Sequence, residues 1–281
     1  MEFLTGDGEQ QYAALVRAAD DLLVGLDFDG TLSPIVDDPE SAHIHPEAGE
    51  VLVGLAAQVR AVAVITGRPA RQVLALGGLE EVGNEVGDSG RELFVLGQYG
   101  NERWTSVERR IVSPKPPRGL ATFMGGLPRL LREADAADAW VEEKGLAVAV
   151  HTRRLEDPDG AYQRLLPLLT ERARANDLDV EPGRSVVEVR APGMHKGAAL
   201  RDLAGALGTR AVVFCGDDLG DVPAFEAVQE MRRDGTPGLL VCAGSAEQGA
   251  LRDLADVEVD GPGGVLDLLR GLTRDIRAAR A

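Results

Sequence analysis

Short, uninterrupted aliphatic runs recur along this chain and leave few folds open to it. LLVGLDF (22–28), AVAVITG (61–67), AVVFCGD (211–217) and GLLVCAG (238–244) show no polar alternation until they end. Strands of that kind have no wet face, so both sides must be covered, as in a parallel sheet between layers of helices. The stretches between them supply the cover. PEAGEVLVGLAAQV (46–59), GAALRDLAGALG (197–208) and VPAFEAVQEMRRDG (222–235) repeat apolar residues at helical spacing, and RPARQVLALGGL begins as a helix. SAEQGALRDLA and GGVLDLLRGLTRDIRAAR close the chain as two more. The expected class is α/β, a doubly wound, mainly parallel sheet.

The middle of the chain breaks this rhythm. SPKPPRG (113–119) is a stiff proline-rich connector. LATFMGGLPRLLREA then reads as a helix, WVEEKGLAVAVHTR as two strands around Lys144-Gly145, and residues from about Gly160 to Asn176 as a second helix. LDVEPGRSVVEVR reads as a hairpin turning at its Pro-Gly pair. An α+β module over 113–192 is therefore expected, inserted into a core formed by 1–112 and 193–281.

A formal charge of −16 excludes nucleic acid and anionic membrane surfaces as partners, because both demand a basic footprint. The amino-terminal stretch lacks the basic and apolar regions of a signal peptide, and no apolar run approaches the ~20 residues of a membrane span. Cys215 and Cys242 each end an apolar run and read as reduced, buried thiols. A cytoplasmic monomer or weak oligomer is expected.

Chemistry concentrates at strand ends. Asp27-Phe28-Asp29-Gly30-Thr31 follows the first buried run, where open α/β sheets bind ligands. Two carboxylates there are costly unless they hold a cation or react, one as nucleophile toward phosphorus and one as proton donor. Thr66-Gly67-Arg68 ends the next run, and its hydroxyl and N–H groups suit a phosphate or simply cap the following helix. Lys196 opens another helix, as a phosphate partner or a surface charge. Gly216-Asp217-Asp218-Leu219-Gly220-Asp221 groups three acids, as a hard cation requires or as a helix cap provides. His43 and His45 form a histidine pair without a third ligand and read as loop residues; Trp104 and Trp140 read as packing residues.

The order Asp pair, Thr, Lys, Asp cluster resembles the four motifs of the haloacid-dehalogenase-like phosphatases. That resemblance implies a Rossmann-like core with an inserted cap that selects the substrate. It implies Asp27 as nucleophile, Asp29 as general acid and then base, and Thr66 and Lys196 as holders of the phosphoryl group, with Gly67 and Arg68 beside them. It further implies magnesium bound by Asp217, the Asp27 carboxylate and the Asp29 backbone carbonyl, with Asp218 and Asp221 supporting that shell.

In the inserted module, strand alternation puts Glu188 and Arg190 on one face and Val187 and Val189 on the other. Glu142 and Lys144 flank the first hairpin turn, and His151 and Arg153 end its second strand. Such a face suits a hydroxyl-rich ligand, and equally a solvent-facing sheet with cross-strand ion pairs. The strings VEEKG (141–145), HTR (151–153) and EVR (188–190), with LDFDGTLSPI, TGR, HKGAAL and GDDLGD, resemble the trehalose-6-phosphate phosphatase family. This implies a sugar-phosphate substrate held by Glu142, Lys144 and Glu188, with His151 and Arg153 in or near the pocket. The turn Tyr99-Gly100-Asn101-Glu102 matches the family's Gly-x-Glu turn before the cap. Gly220, Val222 and Thr152 depart from the pattern, where threonine, an acid and tyrosine are usual. A phosphatase of sucrose 6-phosphate or mannosyl-3-phosphoglycerate type, or a non-catalytic sugar-phosphate sensor, stays open at this point.

Overall fold

The computed structural model describes residues 2–36, 38–183, 185–244 and 249–281. The chain divides into two compact units, Met1–Ser113 with His195–Ala281, and Pro114–Met194.

The first unit is built on an eight-stranded sheet. Its strands are β1 (Glu2–Phe3), β2 (Leu22–Leu26), β3 (Ala61–Ile65), β4 (Leu93–Gly97) and β5 (Glu102–Thr105), then β10 (Ala211–Gly216), β11 (Gly238–Gly244) and β12 (Val257–Asp260). They lie in the order β1-β12-β11-β10-β2-β3-β4-β5. The six from β12 to β4 run parallel, and β1 and β5 close the edges antiparallel. From β2 the chain winds outward through β3 and β4, and it returns through β10 to β12 on the other side. The order therefore reverses between β2 and β10, which opens a crevice at their carboxyl ends.

Helices cover both faces. α2 (Ala48–Ala56), α3 (Ala70–Gly77), α4 (Leu79–Asp88) and α10 (Gly261–Arg280) pack with Leu22, Val24, Leu26 and Val213 in one core. α7 (Lys196–Leu207) and α8 (Val222–Arg233) pack with Leu23, Ile65, Val212 and Phe214 in the other. α1 (Gly6–Arg17) and the short α9 (Gly249–Arg252) complete the unit. Among the described residues, no helix is long and apolar enough to cross a membrane. β1, α1, α4, β4, β5 and β12 go beyond the elements expected from the sequence. The expected SAEQGALRDLA helix is described only over Gly249–Arg252, its first four residues lying outside the described ones.

The second unit is a four-stranded antiparallel sheet, β6 (Trp140–Glu143), β7 (Ala147–His151), β9 (Val186–Arg190) and β8 (Asp179–Gly183) in that order. α5 (Arg118–Glu133) and α6 (Pro158–Arg174) bury Phe123, Leu127, Leu165 and Leu169 against Val148, Val150, Val187 and Val189. The Pro-Gly pair does not make the hairpin turn. Pro182 and Gly183 are paired within β8, opposite Val187 and Val186. β8 is an edge strand, where proline's missing N–H costs nothing, and beyond it Ser185 lies in the left-handed region.

Both thiols are fully buried. Burial pushes Cys242 up to about 11 and Cys215 higher still. Neither is expected to react with a thiol reagent at pH 8 in the native state, while both react in denaturant; rapid native labelling would contradict this packing.

Candidate active site

The site is assembled at the β2–β10 crevice. Pairing of Cys215 with Leu26 continues into a hydrogen bond from Asp27 N–H to the Cys215 carbonyl, 2.9 Å. That register places Asp27 beside the Gly216–Asp221 loop. Asp27, Asp217 and Asp221 are all buried and each offers a carboxylate oxygen within 4.8 Å of the others. Two glycines permit the crowding. A Cβ on Gly30, which has φ +72°, would stand 2.0 Å from the Asp217 carboxylate. One on Gly216 would stand 2.4 Å from Asp221 Cγ.

Lys196 is the cation of this cluster. As the first residue of α7 it projects Nζ to 2.7 Å from Asp27 Oδ1 and 2.7 Å from Asp221 Oδ1. Asp221 gives its other oxygen to the backbone N–H groups of Asp217 and Asp218. It thus ties the ammonium to the acidic loop. Asp218 is turned elsewhere: it is exposed, and its carboxylate caps the turn by accepting from Gly220 N–H, 2.9 Å.

Asp29 stands apart as well. Its side chain is half-buried, and Arg68 grips both its oxygens, Nε at 2.6 Å and Nη2 at 2.7 Å. The third arm of Arg68 reaches the Pro39 carbonyl. Thr66 is buried, and its hydroxyl accepts from Arg68 N–H, which leaves its proton to donate. Gly67 lies against the Tyr99 ring, leaving no room for a side chain. The Thr66–Arg68 loop is laced to the next one by Gln98 N–H to Arg68 O and Tyr99 N–H to Thr66 O. Glu102 accepts from Ala70 N–H at the start of α3 and from Gln98.

In the second unit, the residues expected to meet a ligand share the polar face of the sheet. Lys144 Nζ lies 2.6 Å from Glu188 Oε2, and Arg190 links Glu188 to Glu181. His151 Nε2 lies 3.0 Å from Glu142 Oε2. Arg153 is in the exposed turn after β7, outside this group. Trp140 departs from the packing role expected of it. It is 39% exposed, whereas Trp104 is buried.

With this geometry in hand, the comparisons with known proteins are specific. The sequence profile described as trehalose-phosphatase matches residues 25–95 and 132–258. A probable trehalose-phosphate phosphatase of Oryza sativa subsp. japonica is 30% identical over 287 residues, covering 93% of this chain and 73% of the rice protein. The chain belongs to the trehalose-phosphatase family. It also matches an uncharacterized glycosyl hydrolase of Mycobacterium tuberculosis, 34% identical over 97% of this chain, but it spans only about a fifth of that protein's length. Among solved structures, the C-terminal domain of Candida albicans trehalose-6-phosphate phosphatase superposes with a TM-score of 0.75 over 97% of this chain and 98% of that one. At 17% identity this likeness concerns the fold.

The electrostatics of this family member are dominated by burial. Burial, opposed by Lys196, holds Asp27 well above the usual carboxylate range. Asp217 is pushed up to about 8 by burial, with Asp218 and Asp221 adding to it. Burial alone would lower the Lys196 ammonium, but Asp221 and Asp27 outweigh it and keep the group charged. With all three carboxylates ionised around one ammonium, about two negative charges would be left over, which either protons or a hard divalent cation on oxygen ligands offsets. The donor set therefore fits a hard divalent cation, which Asp27 and Asp217 would hold with Asp221 behind them.

Sequence reading had not foreseen the Arg68–Asp29 fork or the support from Gln98 and Glu102. The only signal was that Arg68 and Glu102 stood in motifs already singled out for other reasons.

Two predictions follow from the charge balance. An unfolded Asp titrates near ~4, so in the metal-free protein the raised Asp217 favours folding below that pH and loses its contribution as pH rises toward about 8. Magnesium should therefore raise Tm more at pH 8 than at pH 5.5; equal shifts in thermal melts would contradict the cluster. Lys196→Met leaves buried carboxylates uncompensated and should cost about 3–5 kcal/mol at pH 7.5, and less at pH 5, where they take up protons. Urea unfolding at the two pH values measures the difference.

Proposed function

We propose that this protein hydrolyses trehalose 6-phosphate to trehalose and phosphate through an aspartyl-phosphate, in trehalose biosynthesis and with magnesium as cofactor. The observation that carries the reading is the buried Asp27 carboxylate, held by Lys196 beside Asp217 and Asp221, in a chain of this family.

In this mechanism an oxygen of Asp27 attacks phosphorus in line with the bond to the sugar oxygen. Lys196 fixes the plane of the attacking carboxylate and offsets its repulsion by the phosphate. The Thr66 hydroxyl donates to a phosphoryl oxygen. Bound magnesium would supply further charge compensation between nucleophile and phosphate. Asp29, once the Arg68 fork has opened and it carries a proton, gives that proton to the departing sugar oxygen, then takes one from the water that attacks phosphorus and frees Asp27. Arg68 occupies both Asp29 oxygens and keeps them apart from the buried acids, so this fork must let go before Asp29 can act. Glu142, Lys144, Glu188 and His151 would receive the sugar hydroxyls, with Arg153 nearby.

The test is phosphate release from a panel of trehalose 6-phosphate, sucrose 6-phosphate, mannosyl-3-phosphoglycerate and glucose 6-phosphate, with magnesium and with chelator. Trehalose 6-phosphate should lead in kcat/KM by at least tenfold, and chelator should abolish turnover. Asp27→Asn should lower kcat by more than about 10³-fold while still binding substrate. Preference for another ester would overturn the substrate, and binding without turnover in the unsubstituted protein would make it a sensor.

A further inference from the structure

Among the described residues of its unit, Trp140 is the large apolar side chain left exposed. The apolar core of the unit lies on the face of the sheet that carries Val148, Val150, Val187 and Val189. Trp140 is on the opposite, polar face, paired in register with His151 across β6 and β7. Its ring stacks on the His151 imidazole with centroids 4.4 Å apart and planes 27° from parallel. The Arg154 guanidinium carbon lies 5.1 Å from the Trp140 ring centroid.

An imidazole at a strand end turns about two side-chain bonds, and one hydrogen bond fixes only one of them. Here the stack sets the plane of the His151 ring while Glu142 Oε2 holds its edge at 3.0 Å. Removing the indole would leave the edge contact alone. We infer that Trp140 is a positioning residue for sugar recognition: it locks His151 and Glu142 into one donor–acceptor unit and thereby sets affinity for the sugar part of the ester. This rests on the sugar-phosphatase reading. It assigns Trp140 no contact with the phosphoryl group and no part in the chemical step.

The decisive comparison is Trp140→Ala against the unsubstituted protein on trehalose 6-phosphate and on p-nitrophenyl phosphate, an ester without a sugar. An interaction of this kind should raise KM for trehalose 6-phosphate about five- to tenfold. Its kcat, and both constants for the aryl ester, should stay within about twofold, and Trp140→Phe should restore most of the loss. Unchanged KM would overturn the inference, as would a parallel fall on both esters, which marks a merely structural role. If the alanine variant does not fold, fluorescence decides. The chain has two tryptophans and Trp104 is buried, so the difference between Asp27→Asn and Asp27→Asn/Trp140→Phe isolates Trp140. Trehalose 6-phosphate should change that emission and inorganic phosphate should not; no change with the sugar ester overturns the assignment. If the unsubstituted protein fails to hydrolyse trehalose 6-phosphate at all, the underlying reading falls and this one with it, an outcome distinct from a normal enzyme indifferent to Trp140.

Discussion

A single buried ammonium organises the first unit's chemistry. Lys196 touches Asp27 and Asp221 at equal distance, and each carboxylate is placed by a different part of the fold. Asp27 is set by the parallel register of β2 on β10, and Asp221 by its bonds to the backbone of its own loop. Lys196 is set by the start of α7. Each ion alone would cost several kcal/mol to desolvate, so the three hold one another in place. Because acids outnumber the base, the cluster is incomplete as it stands. It is stable either with a proton on a carboxylate or with a cation among them, and this alternative couples metal binding to pH.

The same logic separates the two acids of the first motif. Asp27 and Asp29 are two residues apart, yet they have unrelated partners. Asp27 goes into the buried cluster, where Lys196 is its counter-ion. Asp29 goes to a guanidinium that uses its remaining arm on the Pro39 carbonyl. A nucleophile needs a fixed, water-poor setting, whereas a group that exchanges protons with a leaving oxygen and then with water needs access. Under the proposed function, half-buried Asp29 would gain that access when the Arg68 fork opens.

How much of this could be read from the residues depends on how local the cause is. Fully apolar runs announce a doubly covered parallel sheet, and strand alternation places Glu188 opposite Val187 without tertiary information. The acids at strand ends follow from the general position of ligands in such sheets. What escaped is long-range or a matter of rotamer choice. A helix cap was one reading of the Gly216–Asp221 acids, but it does not say that Asp218 caps while Asp221 turns inward, where Gly216 leaves space beneath it. The Arg68 fork joins side chains 39 residues apart. Proline in LDVEPG suggested a turn because proline usually punctuates, but at a sheet edge its missing N–H carries no penalty and the strand runs through it. Trp140 misled for a related reason: size predicts burial, whereas strand parity put it on the polar face.

Under the proposed function, the charges of the two units would suit different parts of the ester. In the first, the excess of negative charge calls for a divalent cation, and that cation with Lys196 would make a strong but unselective seat for a phosphoryl group. On the polar face of the second, Lys144, Glu188, Arg190 and Glu181 form a chain of two cations and two anions. A balanced face offers a phosphate dianion little net attraction. It does present donors and acceptors in fixed alternation, which is what a neutral polyol can use. Under the proposed function, the phosphate would identify the ester as a substrate for this chemistry. Which sugar is accepted would then depend on how well its hydroxyls replace the bonds that these side chains already make to one another, so discrimination should be strongest where those bonds are most rigid.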